Sequence, residues 1–187
     1  MSIVTYNGEE DDVGAQPLMR EEPSAEPTVR LFRPGDEADF RRLNEEWIRR
    51  DFKIEEKDLA SFDDPQHKII DGGGQIFMAM LDGVAVGCVA LLKMDGRTYE
   101  LAKMATDECF RRRGIGRALM NAAIAWARQQ KARRLYLETN HVLTPAMKLY
   151  ESCGFRYIPK ERQKPSPYVR SDVQMEMCLE PEWVQYI

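Results

Sequence analysis

Apolar and polar positions along this 187-residue chain recur with two periods, and the switches between them lay out its elements. Thr28 to Arg33 alternates as a short strand, and Pro34-Gly35-Asp36 then marks a turn and a helix cap. The helix that follows places Phe40, Leu43 and Trp47 on one face. A second helical stretch runs from about Ile54 or Glu55 to Phe62, after which Asp63-Asp64-Pro65 breaks the pattern. Gln75 to Leu81 and Ala85 to Lys93 read as strands joined by the hairpin signal Asp82-Gly83, and Asp95-Gly96 repeats that signal before a strand from Tyr99 to Thr106. The next helix carries Ile115, Leu119, Ala122 and Trp126 on one face. RLYLETN, Arg134 to Asn140, is a buried strand, and TPAMKLYESCGF, Thr144 to Phe155, gives a short helix ending at Gly154. A last strand pair lies around Arg156 to Ile158 and Asp172 to Leu179. The alternation of helices and strands predicts an α/β fold.

The stretch ELAKMATDECFRRRGIG, Glu100 to Gly116, joins a strand to a helix through a loop suited to an anion. Gly114 and Gly116 let backbone approach closely, because neither carries a Cβ. The first N–H groups of the helix lack intrahelical partners and sit at the positive end of its dipole, where phosphate is a natural guest. Arg111, Arg112, Arg113 and Arg117 add forked donors. A dinucleotide fingerprint would need a third glycine where this chain has Leu119, and a nucleotide-triphosphate loop would need Gly-Lys-Ser/Thr, which does not follow Gly116. Gly72-Gly73-Gly74 is also glycine-rich, but no helix follows it, so it reads as a turn.

These residues resemble the coenzyme A signature of the GNAT superfamily, the Gcn5-related N-acetyltransferases, written Arg/Gln-x-x-Gly-x-Gly/Ala and matched by Arg111, Gly114 and Gly116. Downstream, LYESCGF is similar to the family's terminal Leu-Tyr-x-x-x-Gly-Phe. The resemblance covers roughly Val29 to Glu180. It implies a central mixed, mostly antiparallel sheet with splayed strands flanked by helices, and acetyl-CoA as co-substrate with its pantetheine arm lying in the splay. Met104, Ala105 and Thr106 are then expected to face the pantetheine through main-chain groups. The amides from Arg112 to Arg117, those of Arg113, Gly114, Ile115 and Gly116 included, are expected to receive the pyrophosphate, with Arg111, Arg112, Arg113 and Arg117 adding positive charge. Many relatives carry an asparagine where this chain has Leu143, so Asn140, three residues earlier, is the substitute cofactor candidate.

The resemblance also implies the chemistry. An alkyl ammonium has a pKa near about 10.4 and must lose a proton before it attacks a thioester. Glu100 lies eleven positions before Arg111, the offset of the general base in histone acetyltransferases of the family. Strict alternation puts Glu100, Ala102, Met104 and Thr106 on one face of their strand. Tyr150 occupies the tyrosine position of the second motif, from which a phenol serves the leaving thiolate. It is expected both to catalyse and to touch the coenzyme. His141 is an alternative base.

Charge and composition narrow the partners. The first 27 residues carry seven carboxylates against Arg20 alone, with prolines and few large apolar side chains, a disordered composition; the rest of the chain is then about +2 against an overall −4. A nearly neutral body gives no reason to expect nucleic acid. The acidic start and the lack of a long apolar run point to a cytoplasmic protein with no membrane partner. Cys88, Cys109, Cys153 and Cys178 show no CxxC spacing and read as reduced thiols, and no cluster calls for a metal. The expected organisation is an acidic tail, 1–27, and one catalytic domain, 28–187, acting as monomer or homodimer. The acceptor is a small-molecule amine or a protein lysine or N-terminal amine. Acidic residues at Glu55, Glu56, Asp58, Asp63 and Asp64 suit a polyamine or a lysine tail, and equally a solvated helix face. The alternatives are a catalytically silent coenzyme-binding module and a transferase of another acyl group.

Overall fold

The computed structural model describes residues 26–180, so the acidic tail lies outside the described residues except for Glu26 and Pro27. The alternating segments form seven strands: β1 (Thr28–Leu31), β2 (Gln75–Leu81), β3 (Val84–Lys93), β4 (Thr98–Thr106), β5 (Arg134–Thr139), β6 (Arg156–Tyr157) and β7 (Val173–Cys178). The amphipathic stretches form four helices: α1 (Glu37–Asp51), α2 (Glu56–Asp63), α3 (Ile115–Gln129) and α4 (Thr144–Cys153). The strands make one sheet in the order β1-β2-β3-β4-β5-β7-β6. Only β4 and β5 run parallel, so the sheet is mixed and mostly antiparallel, as the resemblance implied.

Local chemistry explains the boundaries. Asp82 and Gly83 both take positive φ, 50° and 79°, the geometry of a tight two-residue hairpin between β2 and β3. In α1, Glu37 and Asp39 occupy the first turn and Arg49 and Arg50 the last, each complementing the helix dipole. Glu55 and Asp58 form a reciprocal capping box at the start of α2. Past Asp64, a short π-helical turn from Gln66 to Ile70 leads into the glycine run, and the periodicity gave no sign of it. Gly154 closes α4 in the left-handed conformation at φ 102°.

Side chains of the sheet alternate between two cores. Phe77, Val89, Leu91, Leu101, Leu135 and Leu137 pack with α3 and α4, while Ile76, Met78, Cys88 and Ala90 pack with α1, α2 and the π-helical turn. Helices therefore cover both faces of one sheet.

Candidate active site

β4 and β5 pair only at Thr98–Arg134, Tyr99–Leu135 and Glu100–Tyr136. Past Glu100 the two strands part, and β5 keeps its ladder with β7 along its whole length. A cleft of about 630 Å³ fills the divergence, lined on one side by residues 100–106 of β4 and on the other by Glu138, Thr139 and Asn140 at the end of β5. The edge of β4 that faces the gap has no strand partner there, leaving main-chain donors and acceptors for an extended ligand.

A β-bulge sits in the middle of β4, in its ladder with β3. Cys88 pairs with Ala105 and Ala90 with Ala102, so Lys103 and Met104 together oppose Val89. Lys103 takes φ 51°, a left-handed conformation unusual for a side chain of its size, and the Cys88 thiol donates to its carbonyl at 3.5 Å. Burial pushes that thiol up to about 12, so it stays protonated and able to donate. The bulge reverses the facing of the strand. Tyr99 and Leu101 lie in the α3 core, Ala105 lies in the α1 core, and Met104 packs against the α3 core. The expected common face of Glu100, Ala102, Met104 and Thr106 is thereby broken: Glu100 and Ala102 face α1, and Met104 and Thr106 face α3. Strict alternation fails wherever an extra residue is inserted in one strand.

At the loop end, Asp107 accepts from Cys109 N at 2.9 Å and starts a short 3₁₀ turn before the arginines. Arg112 has φ 65° and Gly114 φ 74°, and Gly114 has no side chain to cap α3. The N–H groups of Ile115, Gly116 and Arg117 are left free by helix geometry. Gly116 has a second reason to be glycine, since a Cβ there would lie 3.1 Å from Leu149 Cδ2. The arginines divide. Arg111 and Arg112 line the cleft, Arg113 stacks over Phe110, and Arg117 reaches Ser152 Oγ at 2.5 Å and Cys153 Sγ at 3.0 Å on α4, away from the cleft. Arg117 therefore offers its amide, not its guanidinium, to an anion in the cleft.

Glu100 and Tyr150 both line the cleft, from opposite sides of the sheet. Burial, reinforced by the nearby Glu138 charge, holds the Glu100 carboxyl above its ordinary value, and no hydrogen bond or ion pair reaches it among the described residues. Tyr150 packs its ring against Phe155, 6.1 Å between centroids, within the α3 and α4 core; burial pushes its phenol up to about 12. Asn140 lines the cleft too, but its amide already donates to Arg170 O at 2.6 Å and accepts from Val142 N at 3.0 Å. It ties down the loop before β7. His141 is exposed and bound to Asp172, and it is not among the lining residues.

The α1 side holds a charged cluster that the sequence did not announce. Lys103 Nζ, whose side chain is 4% exposed, donates to Asp58 at 2.6 Å and to Tyr168 Oη at 3.2 Å. Arg170 meets Asp58 with two bonds, 2.7 and 2.8 Å, and Glu55 with one at 3.0 Å. Burial, only partly offset by Asp58, holds the Lys103 ammonium below its ordinary value. Burial pushes the Asp58 carboxyl upward, but Arg170 and Lys103 outweigh it and hold it low. The cluster fastens the segment before β7 to α2 and roofs the α1 end of the cleft. Glu55 and Asp58 stood out in the sequence only as acidic residues of a helical stretch, and nothing local paired them with Lys103 or Arg170.

A family model described as the acetyltransferase (GNAT) family matches residues 40–155. The chain belongs to that family. Among curated relatives, rat N-acetylaspartate synthetase is 36% identical over 102 residues, 54% of this chain and 33% of that protein. An N-acetyltransferase of Bacillus subtilis, YsnE, itself described as uncharacterized, is 38% identical over 73 residues, 38% of this chain and 48% of that protein. The chain thus spans about a third of the length of the rat relative. Among solved structures, a GNAT acetyltransferase of Staphylococcus aureus Mu50 superposes with a TM-score of 0.76 at 21% identity, covering 82% of this chain and 99% of that one. A Bacillus subtilis acetyltransferase in complex with CoA gives 0.63 at 18% identity, covering 83% and 100%. This GNAT chain shares their fold. Among the described residues no helix is long and apolar enough to cross a membrane, and no group of three or more His, Cys, Asp or Glu side chains is placed to hold a metal ion.

Proposed function

We propose that this chain is an acetyl-CoA-dependent N-acetyltransferase that moves the acetyl group to a primary amine by direct attack in a ternary complex. The observation that carries the reading is the placing of Glu100 and Tyr150 on opposite faces of the sheet, with the β4–β5 gap between them. An extended thioester lying in the gap has a proton acceptor on its α1 side and a phenol on its α4 side. The free amides of Ile115, Gly116 and Arg117, with the Arg111 and Arg112 side chains, supply the positive end for a pyrophosphate.

In this reading the ammonium of the acceptor gives a proton to Glu100, directly or through water. Because the Glu100 carboxyl is held above its ordinary value, it is a stronger base than an exposed glutamate. The neutral nitrogen forms a bond to the acetyl carbon and the carbonyl takes up negative charge. The tetrahedral species collapses, the C–S bond breaks, and the thiolate takes a proton from Tyr150. Kept neutral by burial, Tyr150 holds that proton at neutral pH. The acceptor lies on the α1 side, beneath the Lys103–Asp58–Arg170 roof.

The test is release of free CoA thiol from acetyl-CoA with a panel of primary amines, comparing the native chain with Tyr150→Phe. The variant is expected to lower kcat by about 10- to 100-fold, within the range of a single acid or base group, while CoA affinity by calorimetry changes little. Unchanged turnover removes Tyr150 from the mechanism. Binding of CoA with no turnover of any amine favours a silent module.

A further inference from the structure

Resting on the N-acetyltransferase reading, we infer that the acceptor is a short aliphatic diamine, whose second ammonium is read by Glu138 while its first delivers a proton to Glu100. The argument is a balance of charges along the cleft. At the loop end, Arg50 pairs with Asp51 and Glu108, and Arg111 with Glu108, beside the free Arg112 near the phosphate-binding amides. At the acceptor end the lining cations are Lys103 and Arg170, and their two charges are met by Asp58 and Glu55. The exposed Lys57 lies outside the lining, 5.9 Å from the Tyr168 ring. At this end of the cleft the lining charges without an ion-pair partner among the described residues are Glu100 and Glu138, and Lys103 and Lys57 act on Glu100 only at longer range.

Glu138 is held as a docking group and not as a solvated surface charge. Tyr136 Oη donates to its Oε1 at 2.7 Å, and Ser166 Oγ donates to its Oε2. Each oxygen has one neutral donor and keeps acceptor capacity toward the cleft. Glu100 lies opposite Tyr136 in register, and Glu138 follows two positions on, so all three share the α1 face. The β4–β5 ladder ends at Glu100, so with about 3.3 Å of rise per residue and about 4.8 Å between paired strands the Cα atoms of Glu100 and Glu138 stand at least about 8 Å apart, a separation at which a short diamine can lie between the two carboxylates. An anionic acceptor would meet these two carboxylates and find Lys103 and Arg170 already engaged. The acceptor end thus favours a second positive charge and disfavours a negative one, in contrast to the acidic amino acid in the name of the synthetase relatives.

The experiment measures kcat/KM for putrescine, butylamine and aspartate with acetyl-CoA, for the native chain and for Glu138→Gln. Putrescine and butylamine share a four-carbon chain, so their ratio isolates the second ammonium and cancels any effect of Glu138 on Glu100. The native chain is expected to prefer putrescine over butylamine by about tenfold or more, and Glu138→Gln to erase most of that preference, as loss of a charge-assisted contact would. Butylamine used as well as putrescine, a preference that survives Glu138→Gln, or faster acetylation of aspartate would each overturn the diamine inference and leave the N-acetyltransferase reading standing. Bound CoA with no turnover of any amine would overturn both.

Discussion

Removing the Asp58 carboxylate is expected to cost more stability than any other single truncation at the site. Its side chain is fully buried and its oxygens satisfy Lys103, Arg170 and the backbone N–H of Glu55. Asp58→Ala leaves an ammonium with 4% exposure facing a vacated space, whereas Arg170, at 15% exposure, retains Glu55 at 3.0 Å. Breaking a buried pair by removing one partner costs about 3–5 kcal/mol, mostly as the uncompensated charge. At about 2–4 °C per kcal/mol for a chain of this size, the Tm should fall by roughly 6–20 °C. Adding Lys103→Met to Asp58→Ala removes the stranded charge and should restore at least about 2 kcal/mol, since apolar replacements of buried pairs are often tolerated. Because the folded pKa of Asp58 is depressed, its contribution is present above the ordinary carboxylate range and is lost as the pH falls through the folded value. Urea unfolding of the two single variants and the double variant at neutral pH, completed as a double-mutant cycle, reads the coupling. A loss below about 1 kcal/mol for Asp58→Ala, or a double variant less stable than Asp58→Ala alone, would falsify the account of Lys103 as a charge held by Asp58.

Two further outcomes follow from the cleft. Glu100→Gln should depress turnover most near neutral pH, where an amine of pKa about 10.4 is almost wholly protonated, and the deficit should shrink as the pH approaches that value. In the native chain the acid limb of kcat/KM should lie above the ordinary glutamate range of about 4.3, because the Glu100 carboxyl is held high; a deficit equal at every pH would argue against a base. Gly116→Val places side-chain carbons where even a Cβ lies 3.1 Å from Leu149 Cδ2, so calorimetry should show CoA affinity falling by tenfold or more, with destabilisation of about 1–3 kcal/mol. Unaltered affinity would mean that the first turn of α3 does not approach the ligand.

What the sequence made legible was local. Periodicity found all seven strands and four helices, and where it gave bounds they fall within a residue or two, because each element carries its own apolar rhythm and turn residues such as Asp82-Gly83 and Gly154 mark ends. Arg111, Gly114 and Gly116 located the loop, and the tyrosine of LYESCGF lines the cleft. The bulge was not legible, since its left-handed residue is Lys103 and not a glycine. Nor was the guanidinium of Arg117, which spacing assigned to the phosphate and packing sends to Ser152 and Cys153. The Asp58–Arg170 contact joins residues 112 positions apart, and no local pattern encodes such a pairing.

The bulge at Lys103 divides β4 into two half-strands that answer to different demands. Upstream of it the even-numbered positions face α1; downstream the even-numbered positions face α3. Substitutions at Ala102 therefore act on the α1 face while leaving the α3 face of the strand untouched, and a single-residue deletion at the bulge would undo that independence by forcing both halves back into one register.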